Sequence, residues 1–492
     1  MTILRLYQEK GIADIRGLFQ KGHRKVCYTA PTASGKTVLF CHLTSKIVAA
    51  GQRVAIIVHR QELIDQTCKA LDAEDLIYGV VAAGYSENVN APALVCMAQS
   101  LARRSDRLGD IQYLIVDEAH HIVAATWRMV LEQVPHARVL GVTATPERLD
   151  GKGLKEAFDA LVIGPTPKKL IACGWLAPFV VYAPERLVDL KGTRTVAGDY
   201  ALGDLARRMS AEIVLADAVT EYRKHLNSHT AIAFCTTIEH SRTVARFFRA
   251  QGIAAQHLDG DTPSAERRHL IGMLATGAIK VLCNCALISE GLDIPSVGGV
   301  ILLRPTKSLA LHLQQIGRAL RPSPNKQRAV ILDHAANVFR HGMPDLEHPW
   351  SLEGRPKKKG KALVRRCPGC GALIPIAVHE CPECGADMRP EPIQPATAPD
   401  PLIELDPTTA FERWLAKGPF NAVVRWAGSD EARLRQVAQA RGYKPGWVWW
   451  RLKTEREAAD AAILNAAFGE QPRNPRAVTG KSRRTVRRVE YE

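Results

Sequence analysis

Short apolar runs separated by helical patterns fill the first third of the chain. "KVCYTA", "RVAIIVH", "ALVCMA", "YLIVDE" and "RVLGVTA" read as strands, and stretches such as "QELIDQTCKALD" between them read as helices. The strands are continuously apolar rather than alternating, as in a parallel sheet covered by helices on both faces. Residues 229–335 repeat the pattern, with "TAIAFCTT", "KVLCNCA", "GVILLRP" and "AVILDHA" as strands and "EHSRTVARFFRAQG" and "SLALHLQQIGRALR" as helices. Residues 166–210 read as an irregular connection. The pattern predicts an α/β chain with two tandem parallel-sheet domains, followed by a small cysteine ribbon and a small helical C-terminal domain. The predicted boundaries are 1–167 for the first domain, 168–345 for the connection and second domain and 346–366 for a basic linker. They continue with 367–388 for the ribbon, 389–407 for a proline-rich linker, 408–466 for the helical domain and 467–492 for a basic tail.

Charge changes this picture. The 492 residues carry a formal net charge of +16, which points to a polyanionic partner, nucleic acid first and an anionic membrane surface second. No apolar run reaches the ~18 residues of a membrane span, and "MTILRLYQEKG" lacks a basic-then-apolar leader. The expected location is cytoplasmic, with no membrane partner. Of 12 cysteines, those in the first 300 residues sit in apolar contexts and read as reduced, buried thiols.

Two segments carry chemistry. "APTASGKT" (30–37) follows a strand and opens a helix, the setting of the phosphate-binding pattern G-x-x-x-x-G-K-[ST]. Its first glycine is Ala30, and Ala33 stands where many such loops carry another glycine. An alanine is harmless there if its backbone torsions are ordinary. The loop from Ala30 through Thr32, Ser34 and Gly35 would cradle phosphates with backbone N–H groups. Lys36 would reach the β- and γ-phosphates of ATP, and Thr37 would hold Mg²⁺. "YLIVDEAHH" ends a buried strand in two carboxylates. Asp117 is placed to hold Mg²⁺, directly or through water, and Glu118 to orient and deprotonate the attacking water.

With these two pieces in order, residues 3–340 resemble the superfamily 2 helicases of the DEAD/DEAH-box class, which implies RecA-like domains. "RLYQ" (5–8) resembles the adenine-sensing element, implying nucleotide contacts from Arg5 and Gln8, the latter to the base. "HRQELIDQ" (59–66) and "AQSLAR" (98–103) resemble elements lining the nucleic-acid groove, and "TATPERLDGKG" (143–153) resembles the element coupling hydrolysis to movement. "SEGLDIP" (289–295) resembles the element joining ribose and nucleic-acid contacts, which implies roles for Gly291 and Asp293. "QQIGRALR" (314–321) matches the pattern Q-x-x-G-R-x-x-R, implying Arg318 and Arg321 as arginine fingers and Gln314 in the nucleotide-side network. An arginine from the far domain stabilises transition-state charge only when the cleft is closed, by on the order of 10³-fold or more. The resemblance implies an ATP-dependent helicase or translocase. The wording of the elements is closer to DNA-acting restriction and repair relatives, including RadD-like or phage-encoded branches, than to RNA remodelers. An RNA helicase, or a nucleic-acid-binding assembly factor that uses ATP as a switch without unwinding, are the alternatives.

The ribbon is a separate signal. Cys367-x-x-Cys370 and Cys381-x-x-Cys384 each read "CPxCG", and four thiolates suit a closed tetrahedral Zn²⁺ site. About twenty residues have almost no core of their own, so metal would supply the folding energy. A redox pair is the competing reading, and two matching pairs without a redox fold weigh against it. Such a ribbon contacts nucleic acid or a protein partner equally well. "ARGYKPGWVWWRLK" (440–453) interleaves aromatic and basic residues and reads either as a base-stacking surface or as the apolar face of a small helical domain, the second fitting at least two of its tryptophans.

Overall fold

In a computed structural model the described residues are all except 1–2, 102, 122–124, 149–150, 185–194, 197–198, 202–204, 206–208, 210–211, 227–228, 286–296, 325, 355–363, 367–372, 376–384, 387–401, 405, 444–445, 450 and 454–492. The chain forms two compact units, Met1–Trp426 and Ala427–Glu492.

The first unit contains two sheets. Strands β1 (Lys25–Thr29), β2 (Val54–Val58), β3 (Tyr78–Val81), β4 (Ala93–Met97), β5 (Tyr113–Asp117), β6 (Arg138–Thr143) and β7 (Ala160–Ile163) form a seven-stranded sheet in the order β3-β4-β2-β5-β6-β1-β7. Every pairing in it is parallel. The strand period of two splits the sheet's side chains between two cores. Val54, Ile56 and Val58 face one core with Tyr28 and Phe40. Ala55 and Ile57 face the other with Cys27, Cys96 and Phe158. This double burial is why the strands read as unbroken apolar runs.

The second sheet comprises β8 (Phe179–Pro184), β11 (Thr230–Phe234), β12 (Ala255–Leu258), β13 (Val281–Asn284), β14 (Val297–Leu302), β15 (Ala329–Leu332) and β18 (Leu402–Glu404), in the order β12-β13-β11-β14-β15-β8-β18. Its pairings are parallel except that of β18, which adds antiparallel to β8. It too is covered on both faces. Two short hairpins stand apart: β9 (Thr195–Val196) with β10 (Asp199–Tyr200), and β16 (Val364–Arg366) with β17 (Leu373–Pro375).

The segment read as an irregular connection departs from that expectation. It holds the helix Pro167–Ala172, capped by the Thr166 side chain, and β8, which pairs with β15 inside the sheet. The proline-rich segment likewise ends in a strand at the sheet edge. After it, Asp406 accepts from the Thr409 N–H and Pro407 opens the helix Pro407–Lys417, a sequence suited to a helix start. Trp414, 2% exposed, packs edge-on to Trp426 at 5.9 Å and stacks with Phe411 at 6.0 Å. The cysteine expectation holds for Cys27, Cys41, Cys96, Cys235 and Cys283, which are buried, while Cys173 is exposed. Burial pushes the Cys96 thiol up to about 12, so it stays protonated. No helix among the described residues is long and apolar enough to cross a membrane.

Trp414→Ala removes the centre of this aromatic cluster and is expected to cost ~3–5 kcal/mol, read as a lower denaturant midpoint. An unchanged midpoint would show that the segment after β18 is not part of the folded unit.

Candidate active site

The phosphate-binding loop leaves β1 at Thr29 and enters the helix Lys36–Ala49 through Gly35 at φ +78°. A Cβ at Gly35 would lie 2.8 Å from Gln8 Nε2, so glycine is required twice there, for torsion and for space. Ala30 has ordinary torsions. Ala33 does not: its φ is +68°, a left-handed conformation that costs a non-glycine residue roughly 1–2 kcal/mol. The departure noted in the sequence is therefore a strained position, sustained by what surrounds it.

The RLYQ element is that support. The Gln8 Nε2 donates to the Gly35 carbonyl at 3.0 Å, and its Oε1 accepts from the Arg5 N–H at 2.9 Å. Tyr7 Oη donates to the Ser34 carbonyl at 2.6 Å and accepts from Arg5 Nη1 at 2.9 Å. The Arg5 guanidinium lies 3.9 Å from the Trp175 ring centre. Gln8, buried, thus braces the loop backbone. Ser34 Oγ is buried and makes no hydrogen bond among the described residues, a polar atom suited to a phosphate or metal-bound water.

Lys36 folds over the loop, its Nζ donating to the Ala30 and Pro31 carbonyls at 3.0 Å each. Burial holds its ammonium below the usual lysine range, opposed by the charges of Glu118 and Asp117; Arg318 and Arg321 push in the same direction as burial. The site's two carboxylates and two arginines thus act on one lysine. Asp117, buried at the end of β5, is raised to about 7 by burial and then by the adjacent Glu118 charge, against the pull of Lys36, the Glu118 N–H and His59. Glu118 takes φ +48° and donates its N–H to Asp117 Oδ1 at 2.9 Å. Two adjacent carboxylates short of positive charge, with the half-buried Thr37 in the neighbouring helix turn, form a hard oxygen donor set that fits Mg²⁺.

Behind Glu118, His120 Nδ1 lies 3.5 Å from Glu118 Oε2 and 3.1 Å from Thr143 Oγ1. Thr143 Oγ1 in turn donates to the Thr145 carbonyl at 2.9 Å. His120 therefore stands in contact with Glu118 on one side and is hydrogen-bonded to the start of "TATPERLDGKG" on the other. The His121 ring packs tilted against both His120 and His59, which joins the 59–66 element to His120. Glu62 of that element pairs with Arg267 on the helix Ser264–Thr276 of the second sheet.

The second sheet completes the site. The helix Leu309–Gly317 carries Gln314, buried, and ends with Arg318, also buried, and the half-buried Arg321 just beyond it. A Cβ at Gly317 would lie 2.5 Å from Thr32 Cβ, so helix and phosphate loop meet without space for a methyl group. Beside this contact is a cavity of about 70 Å³ reached by Pro31, Ile163, Leu313 and Trp350. Gly291 and Asp293 lie outside the described residues, as do Cys367, Cys370, Cys381 and Cys384. Among the described residues no group of three or more histidine, cysteine, aspartate or glutamate side chains is placed to hold a metal ion. In "ARGYKPGWVWWRLK", Trp447 is half-buried against Tyr443 while Trp449 is 66% exposed with Lys453 Nζ at 5.2 Å from its ring. Sequence reasoning overlooked Tyr7, His120, Thr143 and Trp175; the first three lie inside quoted motifs, whereas Trp175 had no local signal.

Residues 2–148 match the family described as type III restriction enzyme, res subunit, and residues 213–323 match the helicase conserved C-terminal domain. A 51.5 kDa protein of a Lactococcus phage is 36% identical over 84% of this chain and 88% of its own length. A Saccharomyces cerevisiae protein named as an ATP-dependent helicase, IRC3, is 27% identical over 67% of this chain, which spans 51% of it. The fold is similar to that of an ATP-dependent type ISP restriction-modification enzyme, LlaBIII, bound to DNA, at TM-score 0.51 and 18% identity over 68% of this chain and 28% of that one.

Gly317→Ala should wedge the helix away from Thr32. The expected result is at least a tenfold loss of ATP turnover, in line with losing a transition-state arginine, at a near-parent melting temperature. Parent-like turnover would show that the two elements need not meet for catalysis.

Proposed function

Because the chain belongs to the superfamily 2 helicases, with restriction-type and helicase C-terminal domains, we propose that it is a motor acting on DNA, in which ATP hydrolysis between the two sheets drives strand separation or translocation. The observation that supports this reading is that the helix Leu309–Gly317 of the second sheet meets the phosphate-binding loop at Gly317 and Thr32, with Asp117, Glu118, Arg318 and Arg321 all acting electrostatically on Lys36. Loop N–H groups and Lys36 bind the phosphates; Thr37 and Asp117 would hold Mg²⁺, which would offset the phosphate charge. Glu118 accepts the proton of the attacking water. Arg318 and Arg321 stabilise the charge that develops on the γ-phosphoryl group, and they do so only with the cleft closed. Gln8 and Arg5 take the base side, and Gly291, Asp293 and Gln314 complete the nucleotide set across the cleft. Opening after hydrolysis moves whatever both sheets grip.

DNA is favoured by the restriction-type match and by the DNA-bound state of the structural relative. The net charge of +16 suits either nucleic acid. A direct test is strand displacement on matched DNA and RNA duplexes, with Glu118→Gln as control. ATP-dependent displacement of DNA is expected, and a drop of about a hundredfold or more in hydrolysis by Glu118→Gln with ATP binding kept. Displacement of RNA alone would transfer the assignment to an RNA helicase. Turnover without displacement or movement on either would support an ATP switch.

Cys367, Cys370, Cys381 and Cys384 form a structural Zn²⁺ site in this proposal. What supports it is the cysteine spacing, together with the antiparallel pairing of β16 and β17 on either side of residues 367–372. A basic run precedes it, so nucleic acid is its first partner and a protein its second. Cys381→Ser with Cys384→Ser should lose one equivalent of zinc, keep basal ATP turnover and weaken DNA binding with a shallower salt dependence. Unchanged zinc content would refute the ligand set.

A further inference from the structure

The element "TATPERLDGKG" closes on itself and is then gripped from outside. Glu147 pairs with Gly153 in an antiparallel bridge, and the Arg148 N–H donates to the Lys152 carbonyl at 2.8 Å. This hairpin begins at Thr143 and Thr145, which reach His120 and through it Glu118. Its far side is held at two places by chain that follows the second sheet.

At the first place, Lys152 pairs with Gly354 in another antiparallel bridge, and the Lys155 N–H donates to the Leu352 carbonyl at 3.0 Å. Backbone meets backbone there. A Cβ at Gly153 would lie 1.9 Å from the Leu352 carbonyl oxygen, and one at Gly354, whose φ is +71°, would lie 1.9 Å from the Gly153 nitrogen. At the second place, Arg425 Nη1 lies 3.3 and 3.2 Å from the two carboxylate oxygens of Glu147. Glu147 is 5% exposed, and a carboxylate so buried is held in place by its cation. Arg425 sits on the helix Phe420–Ala427, which follows β18 and the helix Pro407–Lys417. β18 is hydrogen-bonded to the edge of the second sheet through β8.

We propose that Arg425 is a positioning residue for the hydrolysis site: through Glu147 it ties the coupling hairpin of the first sheet to an arm anchored on the second. The inference rests on the motor reading above. Any rotation of the second sheet about the cleft pulls the arm, and the arm either carries Glu147 with it or breaks the ion pair. In both cases the Thr143–His120–Glu118 network senses the position of the far sheet by a route separate from the arginines of the 309–321 helix. Neither matched family segment reaches residue 425, so the arm adds a link that the two motor domains alone lack.

The test is steady-state ATP hydrolysis of the full chain with and without single-stranded DNA and RNA oligonucleotides, for Arg425→Ala, Arg425→Lys and the charge exchange Glu147→Arg with Arg425→Glu. Arg425→Ala is expected to lower the nucleic-acid-stimulated kcat by about three- to thirtyfold, the range in which residues along a coupling network act. The KM for ATP should stay within about twofold, because the nucleotide contacts are untouched. Arg425→Lys should recover part of the loss, and the charge exchange part or most of it. A folded Arg425→Ala protein with parent-like stimulated kcat overturns the proposal. So does an equal loss of basal and stimulated turnover, which marks a merely structural contact. If Arg425→Ala does not fold, the exchanged pair decides: recovery of stimulated turnover supports the link, and a folded but unstimulated protein refutes it. A parent chain that hydrolyses ATP without response to any oligonucleotide overturns the motor reading and the link with it, whereas a stimulated parent beside an equally stimulated Arg425→Ala overturns the link alone.

Discussion

The contact on which the site depends is that of the helix Leu309–Gly317 with the phosphate-binding loop. It admits no side chain at Gly317, and it sets Arg318 and Arg321 into the field of Lys36. Each sheet alone presents half a site. The first offers a lysine and two carboxylates, and the second brings two arginines to the same loop. In the proposed mechanism this division supplies differential stabilisation of the transition state, because the arginines would act only in the closed arrangement.

The same division explains the electrostatics. Asp117 is raised by burial and by Glu118 because the first sheet concentrates negative charge beyond what Lys36 offsets. In the proposed mechanism a divalent cation and the arginines across the cleft would supply the balance. Strain is stored in the same place. Ala33 and Glu118 both hold positive φ, and both lie at the loop ends of strands where the reacting phosphate belongs. The bracing by Tyr7 and Gln8 shows how such a backbone is held, with side-chain hydrogen bonds to the Ser34 and Gly35 carbonyls.

Much of this was legible in the sequence because strands buried on both faces leave continuous apolar runs. β1, β2, β4, β5 and β6 were visible for that reason, and Lys36 and the Asp117–Glu118 pair sit at their ends. Within the two large sheets, the strands that escaped notice are β3, β7, β8, β12 and β18. β12, "AQHL" with its exposed Gln256, lacks an unbroken apolar run; β7 ("ALVI") and β8 ("FVVYAP") have one, but β8 and β18 are recruited to the sheet from segments distant in sequence from their neighbours. The role of Gln8 shows a different limit. The motif implies a nucleotide-base contact for Gln8; the structure adds a hydrogen bond from its amide to the loop backbone, a contact across 27 positions that no local pattern displays. Arg425 and Glu147, 278 positions apart, are the extreme case.

The chain after the second sheet therefore belongs to the account of the motor up to Trp426, the last residue of the first compact unit. Closure joins nucleotide and polymer sites into one equilibrium, and thermodynamic linkage then requires each ligand to alter the affinity of the other. The most direct measurement is the affinity of the chain for a single-stranded DNA oligonucleotide, by fluorescence anisotropy, with and without a non-hydrolysable ATP analogue and Mg²⁺. The account predicts that the two affinities differ by about fivefold or more, within the usual range of such couplings. Identical affinities, with the analogue shown to be bound, would contradict it.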